Sequence, residues 1–188
     1  MADEPDDQLP ADPHPGADGR RAFAPHDHCA CVADAMAAAE RICARAGARL
    51  TPVRRRVLEL LWEAHRPVAA YGLLDRLREE GLGSQPPTIY RALDFLASHG
   101  LVHKVASLNA FIGCARPETQ HAPQFLICWK CKDVAEMADP NVAAAVAKAI
   151  DATGFRPRAA RLEVEGLCPN CAAEAPDGSA APPSGRRR

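Results

Sequence analysis

The sequence predicts an α+β protein, a winged helix-turn-helix unit followed by a small α/β unit. Three observations carry this. Apolar residues recur at helical spacing in four consecutive segments that end at Gly100. The period then changes to two short strand-like runs around Ser107-Leu108-Asn109, which reads as a hairpin. Beyond it, two Cys-x-x-Cys pairs bracket a stretch that mixes strand patterns with one helix.

Taken in order, residues 32–46 place Val32, Ala35, Met36, Ala39, Ile42, Cys43 and Ala46 on one helical face, with Gly47 as the stop. Thr51-Pro52 supplies an N-cap and a proline for the first turn of a second helix running to about His65, with Val53, Val57, Leu58 and Leu61 inward. A third helix covers about 70–80 through Leu73, Leu74 and Leu77 and stops at Gly81. A fourth starts at Pro86-Pro87 and buries Ile89, Leu93 and Leu96, with Ala92 and Phe95 beside them. Leu101 to Val105 and Ala110 to Ile112 form the hairpin strands. In the second half, Phe125 to Ile127 and Asp133 to Met137 read as strands. Asp139-Pro140 caps a helix through about Thr153, stopped by Gly154, and Arg161 to Glu165 alternates as a half-exposed strand.

The resulting organisation is an acidic tail at 1–28 expected to be disordered, a winged-helix unit at 29–113, a metal-binding unit at 114–174 and a second disordered tail at 175–188. An apolar fraction of 47% over 188 residues is enough for a globular core and argues against wholesale disorder. No apolar run reaches the roughly 18 residues of a membrane span, and the acidic, proline-rich N-terminus is unlike a secretory signal. The expectation is a cytoplasmic protein whose eight cysteines stay reduced and serve as metal ligands before disulfides. The net charge of −1 is unevenly spread: residues 29–113 carry eleven Lys/Arg against eight Asp/Glu, a net of +3, while residues 1–28 carry seven acids and two arginines, a net of −5. That is a modest polyanion footprint on the winged-helix unit.

Cys128-Trp129-Lys130-Cys131 and Cys168-Pro169-Asn170-Cys171 are the strongest chemical signal. Four thiolates in two such pairs suit one structural zinc with a closed tetrahedral shell, stapling the two ends of the second unit. A subtler set is His103, Cys114, His121 and Glu136: two imidazoles, a thiolate and a carboxylate around the inter-unit boundary. The thiolate with imidazoles favours zinc over manganese or magnesium. On the fourth helix, Thr88, Tyr90 and Arg91 lie off the core face near the N-terminus, where a recognition helix meets a major groove. Arg91 has the geometry to pair bidentately with guanine, Thr88 and Tyr90 to contact phosphates, and Tyr71 on the preceding helix is a weaker DNA candidate. His26, His28, Cys29 and Cys31 also offer ligand chemistry, but Cys29-Ala30-Cys31 is tighter than the usual spacing, and the expectation is a solvated tail without a regulatory role. No Gly-rich phosphate loop, nucleophile elbow or His-x-Glu deaminase partner is present, so no enzyme is expected.

Arg49-Leu50-Thr51-Pro52-Val53-Arg54, then Pro87-Thr88-Ile89-Tyr90-Arg91-Ala92-Leu93, then the two cysteine pairs, resemble the ferric uptake regulator family of metal-sensing repressors over about residues 33–172. Tyr90 to Leu96 and Val102-His103-Lys104-Val105 resemble its zinc-responsive branch, with His103, Cys114, His121 and Glu136 as the sensing ligands. The resemblance implies a homodimer joined through the second unit, binding double-stranded operator DNA. Zinc would act as structural ion and as corepressor in silencing zinc uptake genes. Neither a membrane nor a small-molecule substrate other than metal ion is expected. Iron-sensing relatives usually carry a histidine-rich run before the first cysteine pair, whereas Gln120-His121-Ala122-Pro123 has one histidine, which favours zinc. An iron- or manganese-responsive repressor, a zinc-ribbon protein-interaction module and a thiol oxidoreductase stand as the alternatives.

Overall fold

The computed structural model describes residues 23, 28–64, 66–82 and 85–174. Four helices come first: α1 (His28–Arg45), α2 (Pro52–Ala64), α3 (Ala70–Glu79) and α4 (Pro86–Ser98). A hairpin of β1 (Val102–Val105) and β2 (Ala110–Gly113) follows. Then come β3 (Gln124–Cys128), β4 (Val134–Met137), α5 (Pro140–Asp151), β5 (Leu162–Gly166) and α6 (Pro169–Ala173). Proline opens α2, α4, α5 and α6, where its missing N–H costs nothing and its fixed φ suits the first turn. Thr51 Oγ1 accepts from Arg54 N at 3.4 Å and Asp139 from Asn141 N at 2.7 Å, so both caps read from sequence are made. Gly47, Gly81, Gly100 and Gly154 adopt positive φ just past helices α1, α3, α4 and α5, the conformation that ends a helix. The first helix begins at His28, earlier than its apolar period indicated, and α6 was not expected.

Helices α1 to α4 share one core. Leu58 and Leu61 of α2 meet Leu73 and Leu77 of α3 and Ile89, Leu93 and Leu96 of α4, all essentially fully buried. Each such side chain contributes about 1.5–3 kcal/mol by leaving water. The β1–β2 wing is antiparallel, in register from Val102 opposite Gly113 to Val105 opposite Ala110, and Val68 adds a short bridge to Phe111. Gly113 lies against the Trp62 ring: a Cβ there would sit 2.5 Å from Nε1 and 2.6 Å from Cε2, so the indole would have to shift. Gly113→Ala is therefore expected to destabilise the protein by ~1–3 kcal/mol, read as a lowered thermal midpoint by circular dichroism.

The second sheet has the order β4-β3-β5, with β3 antiparallel to β4 and parallel to β5. One face carries Phe125, Ile127 and Val134, which pack with Val105, Leu108 and Ile112 of the wing, so the wing contributes to both cores. The other face is uncovered in part: Leu126, Met137 and Val164 line an open cleft, and Val164 is 46% exposed. Helix α5 buries no residue at all, although Val142, Ala143, Val146 and Ile150 form an apolar stripe along it. Among the described residues, no helix is long and apolar enough to cross a membrane.

Candidate metal centres

The cysteine pairs sit at the ends of elements that converge. Cys128 closes β3, and a tight turn carries the chain through Cys131 to Lys132, whose φ of +65° lets it reverse into β4. Cys168 is the N-cap of α6, its Sγ accepting from Cys171 N at 3.5 Å. The four sulfurs lie within 4.8 Å of one another, and Cys131 Sγ is 3.8 Å from Cys168 Sγ without a bond. Cys128, Cys168 and Cys171 are buried and make a small core of their own with Cys131, Leu167 and Phe23. Burial raises the Cys128 thiol, but the backbone N–H groups of Cys131 and Cys168 converge on its sulfur and bring its pKa well below the ordinary range. An all-thiolate, closed, largely buried donor set of this kind fits zinc.

The second group is built across the wing and the sheet. His103 comes from β1, Cys114 directly follows β2, His121 lies in the connection to β3, and Glu136 comes from β4. Their ligand atoms fall within 4.8 Å of one another. His121 Nε2 is 2.7 Å from Glu136 Oε1, and Cys114 Sγ is 3.7 Å from His121 Nε2. Glu136 Oε2 accepts from Ala115 N at 2.8 Å, and Thr119 O lies 2.8 Å from His121 Nδ1, which orients Nε2 inward. His103 Nε2 is buried without a hydrogen-bond partner among the described residues, although Glu136 Oε1 is 3.3 Å away. This nitrogen thus faces the other three donors, where a metal ligand would stand.

Electrostatics agree with a cation between these groups. Burial opposes ionisation of Glu136, yet His103, His121 and the Ala115 amide hold its pKa down at about 2. The hydrogen bond to Glu136 raises His121. Burial, and then the Glu136 charge, push the Cys114 thiol far up, so the thiol stays protonated unless a cation binds and displaces the proton. Two imidazoles, a thiolate and a carboxylate match a zinc donor set.

On α4, Ile89, Ala92, Leu93 and Leu96 face the core, leaving Tyr90 46% exposed, Arg91 exposed and Thr88 half-buried. Tyr71 of α3, 67% exposed, and Tyr90 border one crevice with Ala70, Leu74, Pro86 and Ile89. Of the recognition-helix candidates, Tyr90 thus shares an exposed surface with Tyr71. Of the N-terminal cluster, His26 lies outside the described residues, while His28, Cys29 and Cys31 fall in the first turn of α1.

Two acidic contacts were not anticipated. Glu118, in the connection after β2, accepts from Arg41 and Arg45 of α1, both at 3.0 Å. Glu163 of β5 accepts from two wing amides. The only signal for the latter in the sequence is that strict alternation on β5 puts its acids on one face, without indicating what that face meets.

Residues 45–165 match the profile of the Ferric uptake regulator family. The zinc uptake regulation protein of Escherichia coli (strain K12) is 40% identical over 137 residues, 72% of this chain and 80% of that protein. The solved structure of a zinc uptake regulator complexed with zinc and DNA is 38% identical, with a TM-score of 0.73 over 77% of this chain and 97% of that one. The crystal structure of holo XcZur is 48% identical, with a TM-score of 0.68 over 73% of this chain and 96% of that one.

Proposed function

Because the chain belongs to the ferric uptake regulator family, we propose that it is a zinc-responsive, DNA-binding transcriptional repressor of zinc uptake genes, with zinc as corepressor. It is a regulator and its ligands are metal ion and double-stranded operator DNA. The observation that carries the reading is the quartet of His103, Cys114, His121 and Glu136, drawn from β1, the residue after β2, the connection and β4, with all four ligand atoms within 4.8 Å of one another.

Two zinc sites with different tasks follow. Cys128, Cys131, Cys168 and Cys171 would hold the structural ion, which supplies a cross-link between the β3–β4 turn and α6. His103, Cys114, His121 and Glu136 would hold the sensed ion. His103 and Cys114 belong to the wing, His121 to the connection and Glu136 to the second sheet, so joint ligation sets how the wing stands on that sheet. Such coupling is typically ~1–3 kcal/mol and reciprocal: DNA tightens zinc by the factor by which zinc tightens DNA. A buried thiol among the donors and zinc uptake regulators among the relatives favour zinc over iron or manganese.

The uncovered apolar face of Leu126, Met137 and Val164, with an α5 that buries nothing, supports a homodimer through residues 114–174. Residues 29–113 then act as the DNA-binding unit, two copies reading two half-sites, in the cytoplasm with the chromosome. Arg91 reads a base, with Thr88, Tyr90 and Tyr71 positioning the helix on the backbone. The test is a gel shift on a duplex selected from a random library by the zinc-loaded protein, repeated across a buffered zinc series. Binding that rises with free zinc supports the reading, and zinc-independent or absent binding overturns it. On the same duplex Arg91→Ala is expected to cost ~1–3 kcal/mol and to relax preference at one base position. An equal loss on scrambled DNA would make Arg91 a phosphate contact.

A further inference from the structure

The wing is gripped at a second point that involves no metal-ligand chemistry. Its tip, the turn Ala106-Ser107-Leu108-Asn109 between β1 and β2, is turned toward the second sheet. Leu108 packs into the core of Phe125, Ile127 and Val134. Beside it the Glu163 carboxylate accepts from both tip amides, Ala106 N to Oε1 at 2.6 Å and Ser107 N to Oε2 at 2.9 Å. Burial works against ionisation of Glu163, and its hydrogen bonds to Ser107 and Ala106 more than compensate, holding its pKa below the usual carboxylate range.

The register explains why two carboxylates share this work. Phe125 in the central strand stands opposite Glu136 of β4 on one side and Glu163 of β5 on the other. Paired positions across a sheet project to the same face, so Glu136, Phe125 and Glu163 form one row beneath the wing. Glu136 holds the base of the wing, through the Ala115 amide and the metal quartet. Glu163 holds its tip. Base and tip are thus tied to the two outer strands of one sheet, on either side of the apolar contact with Phe125. Without Glu163, the apolar packing of Leu108 alone would hold the tip.

We propose that Glu163 is a positioning residue for operator binding: its carboxylate clasps the wing-tip amides so that filling the metal quartet at the wing base is transmitted into one wing orientation. This rests on the regulator reading above. Charge-assisted hydrogen bonds to two exposed amides are worth enough that their loss is read as about ten-fold in affinity.

The experiment uses the full-length protein and the selected duplex, with titrations at saturating and at depleted free zinc. Wild type calibrates the coupling, the ratio of the two operator affinities. Glu163→Ala is expected to lower zinc-saturated affinity about ten-fold and leave zinc-depleted affinity unchanged, so the coupling falls by the same factor. Glu163→Gln, which keeps one acceptor oxygen, is expected to lose less. Glu165→Ala, two residues along the same strand, should behave as wild type. Both Glu163 variants should keep two zinc per chain and the wild-type oligomeric mass. Amide hydrogen exchange at Ala106 and Ser107 should speed up in Glu163→Ala. Unchanged coupling in Glu163→Ala would overturn the proposal, and so would equal losses with and without zinc, which mark a purely structural role. A wild-type protein without zinc-dependent binding would overturn the regulator reading itself, and the positioning role with it.

Discussion

Cys131→Ser is expected to lose one zinc per chain and, with it, the folded second unit. The core around this centre consists of sulfur: Cys128, Cys168 and Cys171 are its buried residues, with Cys131, Leu167 and Phe23 packed around them. Helix α6 has five residues, too few to persist without an anchor, and its N-cap is the Cys168 sulfur itself. Structural zinc sites of this class supply about 10–16 kcal/mol of apparent binding free energy, which is folding free energy when the unfolded chain has no preformed site. A typical domain is stable by only about 5–15 kcal/mol. Removing one thiolate therefore takes away a contribution as large as the whole margin. The measurements are metal content by mass spectrometry, thermal unfolding by circular dichroism and mass by sedimentation. A stable variant with wild-type mass and operator binding would sink the assignment of these four cysteines.

Cys114→Ser is expected to separate sensing from folding. The side chain is buried and nearly isosteric with serine, so the cores on either side keep their packing. A serine hydroxyl, unlike a thiol, does not lose its proton to bind zinc near neutral pH, so the quartet falls to three donors while the cysteine centre is untouched. The variant should hold one tight zinc in place of two, and its operator affinity at saturating zinc should fall to the zinc-depleted level. With a coupling of about 1–3 kcal/mol this is a loss of roughly 5–150-fold. If Cys114→Ser responded to zinc as wild type does, the ligand set would have to be abandoned.

The two variants differ because the two centres occupy different places in the fold. The cysteine pairs cross-link segments of one unit, whereas the quartet joins segments that have cores of their own: Leu101 and Val102 beside the helices, Val105 and Phe125 beneath the wing. Losing the first removes a fold, and losing the second frees an orientation.

Much of this was legible in the sequence, because the features concerned are local. The helical period of Ile89, Leu93 and Leu96 specifies which face of α4 is inward and so leaves Arg91 outward. Thr51 and Asp139 cap the helices they precede because an N-cap needs only the amides two or three residues on. Two thiols separated by two residues fit one ion whatever surrounds them. The donor types at His103, Cys114, His121 and Glu136 were readable too, and so was their nearness to the boundary between units. Tertiary structure decided the rest. It brings Glu136 to the wing base through the antiparallel β3–β4 register and Glu163 to the wing tip through the parallel pairing of β3 with β5 across the α5 crossover, on either side of Phe125. It starts α1 at His28, and it forms α6 on the Cys168 sulfur rather than on any apolar period. Capping, periodicity and ligand spacing act over a few residues and are written in any short window of the chain. Register and docking are set by contacts between residues far apart in sequence, such as Glu163 with Ala106, which no short window contains.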